Sequence, residues 1–225
     1  MTVPSETIRS DFDRLAALDG DGWNHNDHYH PYLLRRLPVP CGESLEIGCG
    51  TGSFARLLAA RSAHVTALDL SPEMIRVARQ RSAGFPNIDY QVADVLEREL
   101  PSGRYDVVAS IATLHHLPLV PLFEKLKAAL KPGGVLLILD IYKYERLSDY
   151  LIGAAAAPLN VLLRLWKTGR LQPEPVARAA WEAHGRHDVY LKLSALRQTC
   201  EDRLPGAIVR RHLFWRYSLV WHKPR

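Results

Sequence analysis

A chain of 225 residues with 47% hydrophobic and 24% charged side chains can bury a core of its own, which excludes a disordered chain and one that needs staples to fold. The formal charge is +5, but Lys and Arg are scattered, with only short pairs such as Arg35-Arg36 and Arg210-Arg211, so charge does not favour nucleic acid, which needs a concentrated basic face. Cys41, Cys49 and Cys200 lie far apart with no CxxC, which argues against a disulfide framework and a thiolate zinc site.

The N-terminus carries Glu6, Asp11 and Asp13 where a signal peptide would need an apolar run, and no stretch reaches bilayer-spanning length, so the expected setting is cytoplasmic. Residues 1–41 read as a helical cap segment on a single domain of 1–225. Within it, WNHNDHYHPY at 23–32 places His25 and His28 on one helix face with His30 falling away. HExxH is absent and no cysteine precedes Cys41, so no metal site is expected.

From about 42 to 140 short apolar runs alternate with helix-like segments, the pattern of a mostly parallel sheet with helical crossovers. The expected strands are 44–49, 64–70, 88–94, 105–112 and 135–142. Ser71 fits an N-cap and Pro72 a first helical position, with Met74, Val77 and Ala78 forming a stripe. Leu119, Leu122, Phe123, Leu126 and Leu130 share one face of a helix expected over 119–131, which Pro132-Gly133-Gly134 ends.

Beyond 142 the pattern changes. The segment 143–189 is expected as a helical insertion or lid, its apolar stretch 151–166 broken at Pro158 and Asn160 into two short helices. The same stretch also fits a homodimer face or a membrane-touching patch. A helix over 190–203 precedes two closely spaced strands, 208–216 and 217–223, which must run antiparallel because their connection is so short.

LEIGCGTGSFARLL carries the strongest chemical signal. A strand runs into Gly48, Gly50 and Gly52, and a helix begins at once, so backbone N–H groups face whatever lies over the loop. No lysine follows Gly52, against a triphosphate loop, and GxGxG departs from the dinucleotide fingerprint. Asp69 ends the second strand, where a carboxylate can accept both ribose hydroxyls of an adenosine. Asp94 ends the third, where it either accepts from an adenine amino group or merely caps a helix or faces solvent.

These motifs resemble those of the class I S-adenosylmethionine-dependent methyltransferases. EIGCGTGSF (Glu46 to Phe54) is similar to their glycine loop, LDLSPEM (Leu68 to Met74) to their ribose-binding segment, and Ala93-Asp94-Val95 to their adenine-binding segment. YDVV followed by LHHL, and then LKPGG, are similar to their fourth-strand region and the lead into their fifth strand. The resemblance implies an α/β Rossmann-like fold with helices on both faces of a seven-stranded sheet of order 3-2-1-4-5-7-6, strand 7 antiparallel. It also implies S-adenosyl-L-methionine as cofactor, with Glu46, Gly48, Cys49, Gly50, Asp69, Leu70, Met74, Asp94, Val95 and Ile111 around it.

The implied activity is methyl transfer to an O, N or C nucleophile of a small molecule. In open α/β sheets ligands lie beyond the carboxyl ends of the strands, so His115 and His116 stand in position to contact acceptor or cofactor and to accept a proton. Trp23, His28, Tyr29 and His30 are either further pocket candidates, with His28 and His30 as catalytic groups, or the face of a surface helix. His184, His187, Asp188 and Tyr190 either return to the crevice or form a solvated loop. A nucleic-acid methyltransferase is an alternative, though the Asn/Asp-Pro-Pro-aromatic tetrapeptide is absent, and so is a noncatalytic cofactor-binding scaffold.

Overall fold

The computed structural model describes residues 4–18, 24–172, 174–186 and 188–225. Trp23 and His187, two of the candidates above, lie outside the described residues. Two helices, α1 (Ser5–Ala16) and α2 (His25–Leu34), precede the sheet. Then follow β1 (Cys41–Ile47), α3 (Ser53–Ala59), β2 (Ser62–Asp69), α4 (Pro72–Arg81), β3 (Ile88–Val92), β4 (Tyr105–Ile111), a 3-10 turn at Leu114–His116, α5 (Leu119–Ala129) and β5 (Leu130–Lys143). The remainder is α6 (Leu147–Thr168), α7 (Pro175–Gly185), the two-residue β6 (Leu191–Lys192), α8 (Leu193–Arg203), β7 (Ile208–Arg211) and β8 (Arg216–His222).

The main strands lie in the order β3-β2-β1-β4-β5-β8-β7, with β6 pairing only with the end of β5. The first five are mutually parallel, and β8 runs antiparallel to both β5 and β7. Counted without β6, this is the expected order 3-2-1-4-5-7-6. Alternation along the strands feeds two core layers: Ala109, Leu137 and Leu139 face one, Val108, Leu136 and Ile138 the other. Crossover helices cover both, which is why these strands read as nearly continuous apolar runs.

Most strand ends shift by one to three residues from those expected, and three differences are larger. The helix expected to 131 ends at Ala129, and Lys131 to Gly134 fall in an irregular part of β5, where pairing jumps from Tyr105↔Leu130 to Val107↔Val135. Gly133 takes φ of 77° there. β7 ends at Arg211 and not at 216, whereas β8 is only shifted by one residue, and Phe214 and Trp215 sit in the turn between them at φ of 55° and 60°.

The third difference is a correction. The stretch 151–166 is not two short helices but part of the single 22-residue α6, with Pro158 inside it. Pro158 and Ala154, four residues earlier, are both exposed, so the carbonyl that loses its N–H partner can be solvated. Leu151, Leu162 and Trp166 on the same helix are largely exposed. Among the described residues no helix is long and apolar enough to cross a membrane.

Candidate cofactor and acceptor site

The glycine loop is fixed by the strand beside it. The N–H groups of Gly48 and Cys49 both donate to the Leu68 carbonyl, at 2.8 and 3.0 Å, so the turn after β1 hangs on the end of β2. The Gly50 N–H donates to Asp69 Oδ2 at 2.8 Å and the Ser71 N–H to Asp69 Oδ1 at 2.9 Å. Gly48 is confined: a Cβ there would stand 2.0 Å from Thr113 Oγ1. Gly50, at φ of 52°, would meet nothing within 4 Å.

Glu46, on β1, is 1% exposed, and its Oε2 is buried without a hydrogen-bond partner. Burial, reinforced by the neighbouring Asp69 charge, pushes its carboxyl well above the ordinary range. Burial likewise raises Asp69 to about 6, although the Ser71 and Gly50 amides favour its ionised form. The buried Cys49 thiol is pushed up too, by burial and then by Asp69 and Glu46, so it packs as a neutral group and is no nucleophile.

Helix α1 lies across the ends of β2 and β3. Asp13 Oδ1 accepts from Ser71 Oγ at 2.5 Å and from the Glu73 N–H at 3.3 Å, and Ser71 Oγ in turn caps α4 by accepting from the Met74 N–H at 3.0 Å. Met74 packs with Leu15 and Ala16 of α1. Asp94 Oδ2 accepts from Ser5 Oγ at 3.3 Å, while its Oδ1 takes the Leu96 N–H at 2.8 Å in a turn, so it caps no helix. Val95 is buried in the layer with Ile47 and Leu68, and Leu70 and Ile111 are half-buried where β2 and β4 end.

Past β4 the chain turns through Ala112, a non-glycine residue at φ of 51° whose N–H donates to the Leu139 carbonyl at 2.7 Å. The 3-10 turn then delivers His115 and His116 beside β5. Asp140, fully buried on β5, accepts from the His115 backbone N–H at 2.8 Å, and His115 Nδ1 lies 2.7 Å from Asp140 Oδ1. Burial pulls the His115 pKa down, but the Asp140 and Asp188 carboxylates outweigh it and leave the group above the ordinary value. His116 is lowered to about 4, chiefly by burial and then by the neighbouring His115.

The loop after α7 does return to this place. Asp188 Oδ2 stands 3.8 Å from His115 Nε2, and its Oδ1 stands 3.7 Å from His116 Nδ1 and 3.5 Å from His184 Nε2. Helix α1 reaches the same spot: Asp11 Oδ2 is 3.2 Å from His184 Nδ1, and the Phe12 ring meets His184 and His116 edge-on.

The N-terminal histidines go elsewhere. His25 Nε2 is 2.8 Å from Asn160 Oδ1, tying α2 to α6. His28 is exposed and lies edge-on to Tyr29 and Phe214. His30 is buried with its ring 4.9 Å from Phe54, and burial lowers its pKa to about 4. Tyr29 is buried, its hydroxyl donating to the Leu213 carbonyl at 2.8 Å. Phe54, against which His30 packs, belongs to one core layer, and Leu114, next to His115, to the other.

Sequence reasoning passed over Asp140 and Asp11. An acid inside the apolar run VLLILDIY is a signal that could have found Asp140, since a buried carboxylate in a strand needs partners.

A family model described as a methyltransferase domain matches residues 45–134. An uncharacterised methyltransferase of Mycobacterium tuberculosis is 30% identical over 209 residues, covering 90% of this chain and 98% of its own. A ubiquinone biosynthesis O-methyltransferase of Xylella fastidiosa is 30% identical over 195 residues, covering 78% of this chain and 77% of its own. Among solved structures, a complex of DhpI with S-adenosylhomocysteine superposes with a TM-score of 0.65 at 23% identity, covering 98% of each chain. The N-methyltransferase NodS of Bradyrhizobium japonicum, bound to S-adenosyl-L-homocysteine, gives a TM-score of 0.65 at 18% identity, covering 96% of this chain and 98% of its own. A glycine loop on a sheet of this order, the matched domain and relatives aligned over nearly the whole chain agree: the chain belongs to the class I S-adenosylmethionine-dependent methyltransferases.

Proposed function

We propose that the methyl group goes to an oxygen, nitrogen or carbon nucleophile of a small molecule seated beyond the carboxyl ends of β4 and β5. The observation that carries this reading is the open edge of Gly50, whose amide Asp69 holds, together with a buried oxygen of Glu46, at the end of β1, that lacks a partner. The residues fit the cofactor. Asp69 takes the Gly50 and Ser71 amides on different oxygens, and an ionised carboxylate with two lone pairs on each oxygen retains acceptor capacity for ribose hydroxyls. Glu46 Oε2 gains the ammonium of the methionine part, and Gly50 lets the backbone approach without a Cβ in the way.

S-adenosyl-L-methionine supplies a methyl group on a sulfonium centre, and displacement from it requires an acceptor atom held in line at near-contact distance. This chain's part is therefore to position and to exclude water. In our reading Leu70, Met74 and Val95 border the adenosine, Asp94 stands beside the base, and Ile111, at the end of β4, lies where donor and acceptor meet. His115, held by Asp140, and His116, neutral at pH 7, form the acceptor wall. Helices α1 and α7 close over that wall through the Asp11–His184 contact, which gives the 1–41 and 143–189 segments a shared role as a cap. A homodimer through α6 would bury the exposed Leu151, Leu162 and Trp166.

The test is release of S-adenosylhomocysteine over a panel of phenols, amines and carbon acids. Turnover confined to one acceptor class, and abolished by Asp69→Ala, is the expected result. Cofactor binding with no release over any class would favour the noncatalytic scaffold instead.

A further inference from the structure

We propose that His115, His116 and Asp188, with His184 completing the set, hold a divalent transition-metal ion of the zinc or cobalt(II) kind. One ligand atom from each of His115, His116 and Asp188 falls within 4.8 Å of the others. The separations to the Asp188 oxygens are 3.8 Å from His115 Nε2, 3.7 Å from His116 Nδ1 and 3.5 Å from His184 Nε2. These are too long for hydrogen bonds, which run at about 2.7–3.2 Å. They suit ligands of a shared ion: atoms about 2.1 Å from a tetrahedral centre stand roughly 3.4 Å from one another.

Burial makes the arrangement costly unless something fills it. The side chains of His115, His116, His184 and Asp188 are only 3%, 5%, 5% and 5% exposed. His115 Nε2 and Asp188 Oδ1, two of the atoms at those separations, are buried without a hydrogen-bond partner, as is the second ring nitrogen of His116, Nε2. Three such atoms in one cluster are unusual in a folded protein and call for an occupant.

The groups behind the ligands point the same way. Asp140 holds His115 Nδ1 at 2.7 Å, Asp11 holds His184 Nδ1 at 3.2 Å, and the Tyr190 hydroxyl donates to Asp188 Oδ2 at 2.6 Å. A carboxylate on the rear nitrogen fixes the tautomer of a ligating imidazole and turns its other nitrogen to the ion. Imidazoles with a single carboxylate select zinc-like ions over magnesium or calcium, which take oxygen ligands. At the ends of β4 and β5 the ion would polarise an acceptor hydroxyl; that role rests on the methyl-transfer reading, whereas the ion site does not.

The experiment uses untagged full-length protein stripped with a chelator and reloaded with zinc or cobalt(II). Retained metal is measured by mass spectrometry after gel filtration, and the cobalt form by its visible ligand-field bands. The expected result is one ion per chain, lost in His116→Ala and Asp188→Asn and kept in His222→Ala, whose histidine is exposed on β8. Asp140→Asn, a change behind the ligands, should weaken binding by about 10–100-fold. Thermal midpoints and S-adenosylmethionine affinity are read on each variant; should His116→Ala not fold, the isosteric Asp188→Asn and Asp140→Asn decide. Asp188→Asn that loses metal yet still binds S-adenosylmethionine supports the site, and Asp69→Ala that keeps metal separates it from the cofactor reading. Wild-type protein that retains no ion, or Asp188→Asn that binds as wild type does, would overturn the proposal.

Discussion

The Asp69 carboxylate holds the Gly50 amide at 2.8 Å, so the acid at the end of β2 shapes the turn after β1 before any ligand arrives. The loop is thereby preorganised, and Gly50 leaves the space beside that carboxylate open. This coupling makes the site sensitive to the protonation of one group.

Asp69 sits at about 6, above its ordinary value of 3.8, because burial disfavours its charge. Raised in the folded state, it contributes stability that is present below about pH 4 and lost as pH rises through 6. Cofactor binding runs the other way, since the ionised carboxylate is the better acceptor for ribose hydroxyls. Affinity for S-adenosylmethionine should therefore increase through pH 6 in the wild type and stay flatter in Asp69→Asn, as titrations across that range would show.

Glu46 makes a companion prediction. Its carboxyl is held well above the usual range by burial and by Asp69, so it takes up a proton that an incoming ammonium would expel. Calorimetric titrations in buffers of different ionisation enthalpy should register proton release on cofactor binding. Glu46→Gln should abolish that release.

The two loop glycines should fail differently. Gly48→Ala places a Cβ 2.0 Å from Thr113 Oγ1 at φ of 68°, and unfolding in urea should show a loss of about 2 kcal/mol or more. Gly50→Ala meets no atom within 4 Å, so its cost to the fold is about 1–2 kcal/mol of left-handed backbone strain. Its effect on cofactor affinity should be the larger one, because the new methyl group enters the ligand's space.

His30 governs acid stability. Its pKa is depressed to about 4 by burial against Phe54, so its contribution is present above pH 6.5 and lost as pH falls through 4. At roughly 1.4 kcal/mol per pKa unit, the loss attributable to His30 is about 3 kcal/mol. Denaturant unfolding between these pH values should show a shallower decline in His30→Leu than in the wild type.

Much of this was legible in the sequence where local pattern decides. The glycine turn, the strand-end acids and the parallel order follow from short apolar runs, caps and a motif whose parts lie within a few residues of one another. Pro158 was misread because a proline ends a helix only when the freed carbonyl cannot be satisfied, and exposure on α6 was not visible in the residues. His184 and Asp188 meet His115 and His116 across about seventy residues because α7 docks under α1, a tertiary event that no spacing announces. The histidine-rich stretch at the N-terminus looked chemical by composition; described in three dimensions, His25 and Tyr29 fasten α2 to α6 and to the turn before β8.

Calorimetric titration of S-adenosylmethionine, with NAD as comparator, into wild-type protein and Asp69→Ala decides whether this loop holds the sulfonium cofactor. Saturable binding of the sulfonium compound alone is expected, weakened at least about tenfold in the variant by loss of charge-assisted hydrogen bonds. Binding that Asp69→Ala leaves unchanged, or binding of NAD in its place, would contradict it.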